Sequence, residues 1–463
     1  MSASYAHFIG IGGAGMSGIA RVLHDRGLIV TGSDMRESRY SSALRDAGVV
    51  VHIGHDAANL GDPGVVVAST AIPDTNPELV EARLRGIPVW QRARMLAELA
   101  GDRLTVAVAG THGKTTTSSM AAAALTAAGQ DPTFLIGGEL TDVGSNARCG
   151  NGPHFVVEAD ESDGSFLHLD PYCAIVTNIE ADHLDHYGSL AEIVEIFGEF
   201  LARVHPDGVA VLCADDERLM RLAPGCLSRV VTYGCSVDAD VRLSGYHASP
   251  EGGEFTVTFP DGMTLPCATR IPGAHMALNA TGVLAAAWAL DVDLGSAARG
   301  ISSFGGVKRR FEHIGMVGEV AVVDDYAHHP TEVRATLAAS RAASAGTRWV
   351  VFQPHRYSRT AAFARDFGAA FDDADRVVIL DVYGAGEAPV PGVSGKTVVD
   401  AILRHRPRTR LAYFPHRTDV ARYVAQRARP GDLVMTMGAG DVTTMGPEIV
   451  RALTERTLAG SGK

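Results

Sequence analysis

A lysine that follows a glycine turn at the end of an apolar run carries the clearest chemistry in this chain. Val106, Ala107 and Val108 read as a buried strand, Gly110-Thr111-His112-Gly113 as a turn, and Lys114-Thr115-Thr116 as the start of a long alanine-rich helix. Backbone N–H groups in such a turn point at an anion, a lysine adds a full positive charge, and the Thr115 hydroxyl suits Mg²⁺. The commoner phosphate-loop motif has its first glycine where Val108 stands, so this is a shorter Gly-x-x-Gly-Lys-Thr; the bland reading is an ordinary strand-to-helix turn. Only four lysines occur (Lys114, Lys308, Lys396, Lys463) among 41 lysines and arginines, which weighs against chance placement. We expect Gly110 to Thr116, with Thr111, His112 and Gly113 between, to hold nucleotide phosphates.

Metal ligands for such a site should come from neighbouring strand ends. One apolar run ends at Glu158 and continues Ala159-Asp160-Glu161-Ser162-Asp163; another ends at Thr177 and continues Asn178-Ile179-Glu180-Ala181-Asp182-His183-Leu184-Asp185. If those strands run parallel to Val106–Val108, then Lys114, Glu158 and His183 gather at one sheet edge. Thr115 and Glu158 suit Mg²⁺, which prefers oxygen, whereas His183 is a less usual ligand for it. The remaining acids of both clusters read as supporting or solvent-facing. Further on, Lys308-Arg309-Arg310 follows paired glycines and reads either as a γ-phosphate clamp or as a basic linker. His275 and Asn279, four residues apart, either meet an adenine edge or cap their helix. His328-His329-Pro330 lacks a third ligand at metal spacing, which favours polar contacts to a substrate over zinc.

The elements that must position these groups read as an α/β protein. A first glycine loop, Gly10, Gly12, Gly13 and Gly15, lies between a short strand and a helix with Ile19, Val22 and Leu23 on one face; the next strand delivers Ser33-Asp34, with Asp34 about 20 residues after Gly15, where a ribose-binding acid belongs. This is a dinucleotide fingerprint, and it reports a nucleotide diphosphate rather than a hydride reaction. Val65 to Ser69 reads as a later strand, and Ala71 to Glu78 as a proline-bearing loop at its end. At 463 residues the chain suggests three units. They are an N-terminal Rossmann-like domain over 1–102, closing near Gly101-Asp102, a central P-loop ATPase-like domain with a mostly parallel sheet over 103–313, and a C-terminal Rossmann-like domain over 314–463. A net charge of -12 gives no support to a nucleic-acid partner. The six cysteines form no C-x-x-C pair, no run reaches a membrane span, and a cytoplasmic protein, monomer or homodimer, is expected.

Seven motifs then fall in an order that resembles the Mur ligase family from end to end: the first glycine loop, Gly-Thr-His-Gly-Lys-Thr-Thr, Glu-Ala-Asp-Glu-Ser-Asp, Asn-Ile-Glu-Ala-Asp-His-Leu-Asp, Lys-Arg-Arg-Phe, Asp-Asp-Tyr-Ala-His-His-Pro-Thr-Glu and Gln-Pro-His-Arg-Tyr-Ser-Arg-Thr. The resemblance implies ATP and Mg²⁺ as cofactors, a first domain holding a UDP-sugar, and a last domain carrying an amino acid. It is nearest to the branch that acts on UDP-N-acetylmuramate and L-alanine; a tripeptide-recycling branch uses the same first half. By position Lys114 is similar to the family's phosphate lysine, Thr115 and Glu158 to ligands of one Mg²⁺, and His183 to the ligand of a second. Asn279 resembles an adenine contact and Arg310 a phosphate contact, while Tyr326, His328, Arg356 and Arg359 match the amino-acid side. His328 is a candidate acceptor for the amine proton. Two departures stand out. Met276 replaces the first Asn of the family's His-Asn-x-x-Asn helix motif, and the absence of any lysine between Lys114 and Lys308 excludes the carbamylated lysine of the later-acting ligases. A nicotinamide-dependent dehydrogenase, resting on the first glycine loop alone, and a nucleotide sensor without catalysis remain the alternatives outside the family.

Overall fold

A computed structural model describes residues 5–101, 103–249 and 251–461, so Asp102, at the expected first boundary, lies outside the described residues. The first sheet is wholly parallel, in the order Val50–Ile53, Ile29–Asp34, Tyr5–Ile9, Val65–Ala68, Val89–Gln91. The order reverses at Tyr5–Ile9, and ligand crevices open at such switch points. Gly10, at φ +82°, turns the chain there, and the N–H groups of Gly10 and Ile11 donate to the Ser33 carbonyl. The helix Ala14–Asp25 buries Ile19, Val22 and Leu23, as its periodicity requires.

Two expectations for this domain are corrected. The segment expected as a loop through Glu78 becomes helical from Pro77: Asn76 caps the helix Pro77–Leu84 by accepting from the N–H groups of Glu78 and Leu79, and proline is well suited to the first helical position. Ser33, expected at the substrate, is fully buried, and its hydroxyl donates to Glu78 Oε2 at 2.5 Å and lies 2.9 Å from His55 Nδ1. That hydroxyl belongs to an internal network, because a buried carboxylate must find donors.

The middle domain is built on a ten-stranded sheet. Leu104–Ala109 lies between Cys173–Val176 and His154–Glu158, all parallel, with Val108 paired to Glu158 and Ala109 to Val176. This register brings residues 110–113, Glu158 and the 177–183 segment out of the sheet at one edge. The hairpins Val241–Ser249, Gly252–Thr258 and Thr264–Thr269 extend one side antiparallel. The helix Ala274–Ala289 is buried around most of its circumference, which explains its run of alanines.

The third sheet has the order Glu312–Val317, Val320–Asp325, Leu433–Met437, Arg348–Phe352, Arg376–Leu380, Arg410–Phe414, parallel except for the first strand. Glu312–Val317 belongs to this sheet, so a boundary at 313/314 would cut a strand. The edge strand Arg410–Phe414 is paired on one side only and half-exposed. No helix among the described residues is long and apolar enough to cross a membrane.

Candidate active site

Gly110 sits at φ +129°, where a Cβ would also fall 2.1 Å from Thr177 Oγ1, and Gly113 at φ +85° hands the chain into the helix Lys114–Ala127. Glycine is required at both. The Lys114 ammonium folds back over the loop, donating to the carbonyls of Gly110 (2.8 Å) and Thr111 (3.3 Å) and to Glu161 Oε1 (2.9 Å). Burial lowers the Lys114 pKa, but the Glu161 and Asp160 carboxylates outweigh it, so the residue stays cationic. Burial pushes Glu161 up to about 7 against the pull of Lys114.

The Thr115 hydroxyl donates to Glu158 Oε1 at 3.0 Å, and Gly137 N donates to Oε2 at 2.8 Å. A Cβ on Gly137 would lie 2.4 Å from that carboxylate, so the close approach needs glycine. Burial raises the Glu158 pKa despite Lys114 nearby. A recessed carboxylate beside a hydroxyl, short of counter-charge, is a donor set that fits Mg²⁺. His183 adopts φ +51° before the short helix Leu184–Tyr187, with Nε2 3.7 Å from Asp182 Oδ2. Burial keeps it neutral, as a ligand nitrogen must be.

These groups line a cavity of about 800 Å³ between the middle and C-terminal domains, with Lys114, Thr115, Glu158 and His183 on one wall and Arg310, Tyr326, His328, Arg356 and Arg359 on the other. Two smaller cavities adjoin it. One of about 270 Å³ is shared by His112, Gly113, Thr116, Asn279 and Arg310, with Met276 in its wall. The other, of about 100 Å³, runs from Gly15 past Arg92 and Gly137 to Glu158 and Asp160, joining the first glycine loop to those carboxylates. Asp34 Oδ2 accepts from Gly12 N at 2.9 Å, so a carboxylate already answers a loop N–H group.

Of the three-cation clamp, only Arg310 faces the cavities without a close ion pair among the described residues, its charge being felt by the Asp325 and Glu332 carboxylates. Lys308 pairs with Glu139 at 2.5 Å, and Arg309 with Asp324 at 3.3 Å and the Gly438 carbonyl at 2.6 Å. The Arg310 guanidinium lies 5.0 Å from the centroid of the Tyr326 ring, which gives that tyrosine an orienting role. Arg359 is likewise more than a wall residue: it grips Asp182 with two N–H groups, at 3.0 and 3.2 Å, across the domain boundary. The His328 Nδ1–H donates to the Tyr326 carbonyl at 3.0 Å, leaving Nε2 as the acceptor. Burial holds this imidazole down at about 4.

Four carboxylates read as background, or passed over, carry much of this arrangement: Glu161 on Lys114, Asp182 on Arg359, and Glu180 and Glu332 on either side of His112, at 3.0 and 3.1 Å. Only Glu332 had a local signal, since His329-Pro330-Thr331-Glu332 has the spacing of a helix cap with its acid at the third position. Burial lowers the His112 pKa, but Glu180 and Glu332 more than reverse this and carry it to about 9. A histidine raised above its unfolded value of about 6.5 contributes its stabilisation in full below that pH and loses it as pH rises through the folded value. We therefore expect the two domains to stay docked at pH 7.5 and to loosen above about pH 9. Small-angle scattering should show an increase in radius of gyration there, and His112→Asn should abolish the step.

Residues 5–103 match the Mur ligase family, catalytic domain, 108–287 the Mur ligase middle domain, and 309–440 the Mur ligase, glutamate ligase domain. A UDP-N-acetylmuramate–L-alanine ligase of Mycobacterium ulcerans is 50% identical over 467 residues, covering 97% of this chain and 95% of the relative. This chain belongs to the Mur ligase family. Among solved structures, a UDP-N-acetylmuramate-alanine ligase from Thermotoga maritima aligns with TM-score 0.79 at 30% identity, covering 98% of this chain and 99% of the other. A murein peptide ligase from Psychrobacter arcticus aligns with TM-score 0.70 at 27% identity, covering 97% and 98%. The three-sheet architecture of this Mur ligase is thus shared along its whole length, including the strand Glu312–Val317 that the third matched region takes in.

Proposed function

We propose that this Mur ligase joins L-alanine to the lactyl carboxylate of UDP-N-acetylmuramate, converting ATP to ADP and phosphate. The observation that carries the reading is the single cavity in which Lys114, Thr115 and Glu158 of the middle domain face Arg310 and His328 of the C-terminal domain. A carboxylate is a poor acyl donor because its leaving group would be oxide. The muramate carboxylate therefore first takes the γ-phosphoryl of ATP, and the alanine amine then attacks the acyl phosphate and expels phosphate. Bringing a carboxylate to a triphosphate joins like charges, and Lys114 and Arg310 answer that repulsion as charge develops on the transferring group. Thr115, Glu158 and His183 would hold Mg²⁺, which supplies further positive charge to the phosphate oxygens. The UDP portion lies along the first glycine loop, and the narrow cavity past Gly15 carries the sugar toward Glu158.

The attacking amine must be neutral. Placing its proton on His328 at neutral pH would cost about 4 kcal/mol, three units below pH 7 at about 1.4 kcal/mol each. His328 Nε2 instead accepts an N–H of the amine and orients it, the proton shed on amide formation leaves with the expelled phosphate, and Arg356, in the same wall, faces the amino-acid carboxylate. A coupled assay of ADP formation tests the assignment. ADP release should require UDP-N-acetylmuramate and L-alanine together; release with the tripeptide and none with L-alanine would overturn it, as would turnover without an acceptor.

A further inference from the structure

Glu332 is the third residue of the helix Pro330–Ala343, and its side chain is only 14% exposed. Oε2 accepts the backbone N–H groups of His328 at 3.0 Å and His329 at 3.2 Å. A capping carboxylate needs no more than that backward reach. Its other oxygen points out of its own domain and lies 3.1 Å from Nδ1 of His112, inside the phosphate loop. The same imidazole places Nε2 3.0 Å from Glu180 Oε2, and Glu180 Oε1 accepts the Thr331 hydroxyl at 2.7 Å. His112, Glu332, Thr331 and Glu180 thus close a ring that crosses the domain boundary twice. Three donors at this seam, on His112, Glu180 and His329, lie within 4.8 Å of one another, the spacing of a cation site. Both His112 nitrogens are already committed to carboxylates, so the hydrogen-bonded bridge is the arrangement the geometry favours.

Glu332 also lines both the large cavity and the smaller one behind the phosphate loop. We propose that Glu332 is a positioning residue that couples the phosphate loop to the acceptor pocket: through His112 it ties the conformation of residues 110–113 to the turn bearing His328. A loop ordered on nucleotide then presents His328 to the amine, and a loop released from nucleotide lets that turn relax. The identity of the acceptor rests on the function proposed above; the coupling itself rests on the ring of contacts.

Steady-state kinetics of the full chain test it, with L-alanine varied at saturating ATP and UDP-N-acetylmuramate, beside calorimetric binding of a non-hydrolysable ATP analogue. Glu332→Gln should raise KM for L-alanine by about tenfold with kcat within about threefold, and change analogue affinity by less than about threefold, the size expected for loss of one charge-assisted contact. His112→Asn should raise the same KM, and the double variant should be no worse than the poorer single one, since residues acting through one contact are non-additive. Thr331→Val, which opens the ring without touching Glu332, should raise KM in the same direction and guards against a folding defect in Glu332→Gln. Additive effects in the double variant, or a Glu332→Gln enzyme with unchanged KM, would overturn the coupling. A wild-type enzyme that releases no ADP with L-alanine would instead sink the functional reading.

Discussion

Lys114→Ala should lower kcat by at least about 10²-fold, the loss typical of removing one preorganised charge contact from a transferring group. The ammonium is held by two loop carbonyls and Glu161, so little reorganisation is needed when phosphate displaces those partners. The deficit should therefore appear in kcat and in kcat/KM for ATP alike, as it does when an interaction made in the transition state is removed. Lys114→Arg should not rescue it, because the bulkier planar guanidinium does not fit the compact site that the Gly110 and Thr111 carbonyls and Glu161 form around a single ammonium. A second consequence is independent of turnover. Without Lys114, the buried Glu161 loses the charge that opposes its desolvation, so it should titrate above about 7 and be protonated at neutral pH. Near-normal ADP release by Lys114→Ala would remove the phosphate loop from the mechanism.

What the sequence made legible follows from geometry that is local or regular. Lys114 and the glycines around it declare themselves because a strand, a turn and a helix start are contiguous, and Glu158 and His183 follow because parallel strands end at one edge. Pairings between distant segments left no such trace. Lys308 and Arg309 looked like a clamp with Arg310, yet their partners, Glu139 and Asp324, are brought to them by the fold from 169 and 15 residues away. Ser33 followed the fingerprint spacing correctly but points inward to Glu78, a carboxylate whose burial depends on a helix where a loop was expected. The cross-boundary contacts of Glu180, Asp182 and Glu332 were invisible for the same reason: acidic residues in loops and at helix starts are usually solvated, and these take partners from another domain.

That docking has one contact whose removal should be costly. Asp182 and Arg359 face each other with side chains 7% and 6% exposed, joined by two N–H donations and belonging to different domains. Burial works against the Asp182 carboxylate, and Arg359 more than compensates, holding its pKa well below the usual range. Deleting one partner of a buried pair leaves an uncompensated charge, at about 3–5 kcal/mol, whereas deleting both with shape retained is far milder. Because the pair spans a boundary, the penalty in Arg359→Ala should fall on domain docking: scattering should show a more open particle, and kcat/KM for L-alanine should drop by about 10²-fold or more. The double variant Asp182→Asn with Arg359→Met distinguishes the two roles open to this arginine. Recovery of both compactness and alanine use would make it a strut between domains. Recovery of compactness alone would show that it also touches the amino acid, the role its position in the Gln-Pro-His-Arg-Tyr-Ser-Arg-Thr motif implies. Unchanged scattering and turnover in Arg359→Ala would mean that the pair fixes neither docking nor the acceptor.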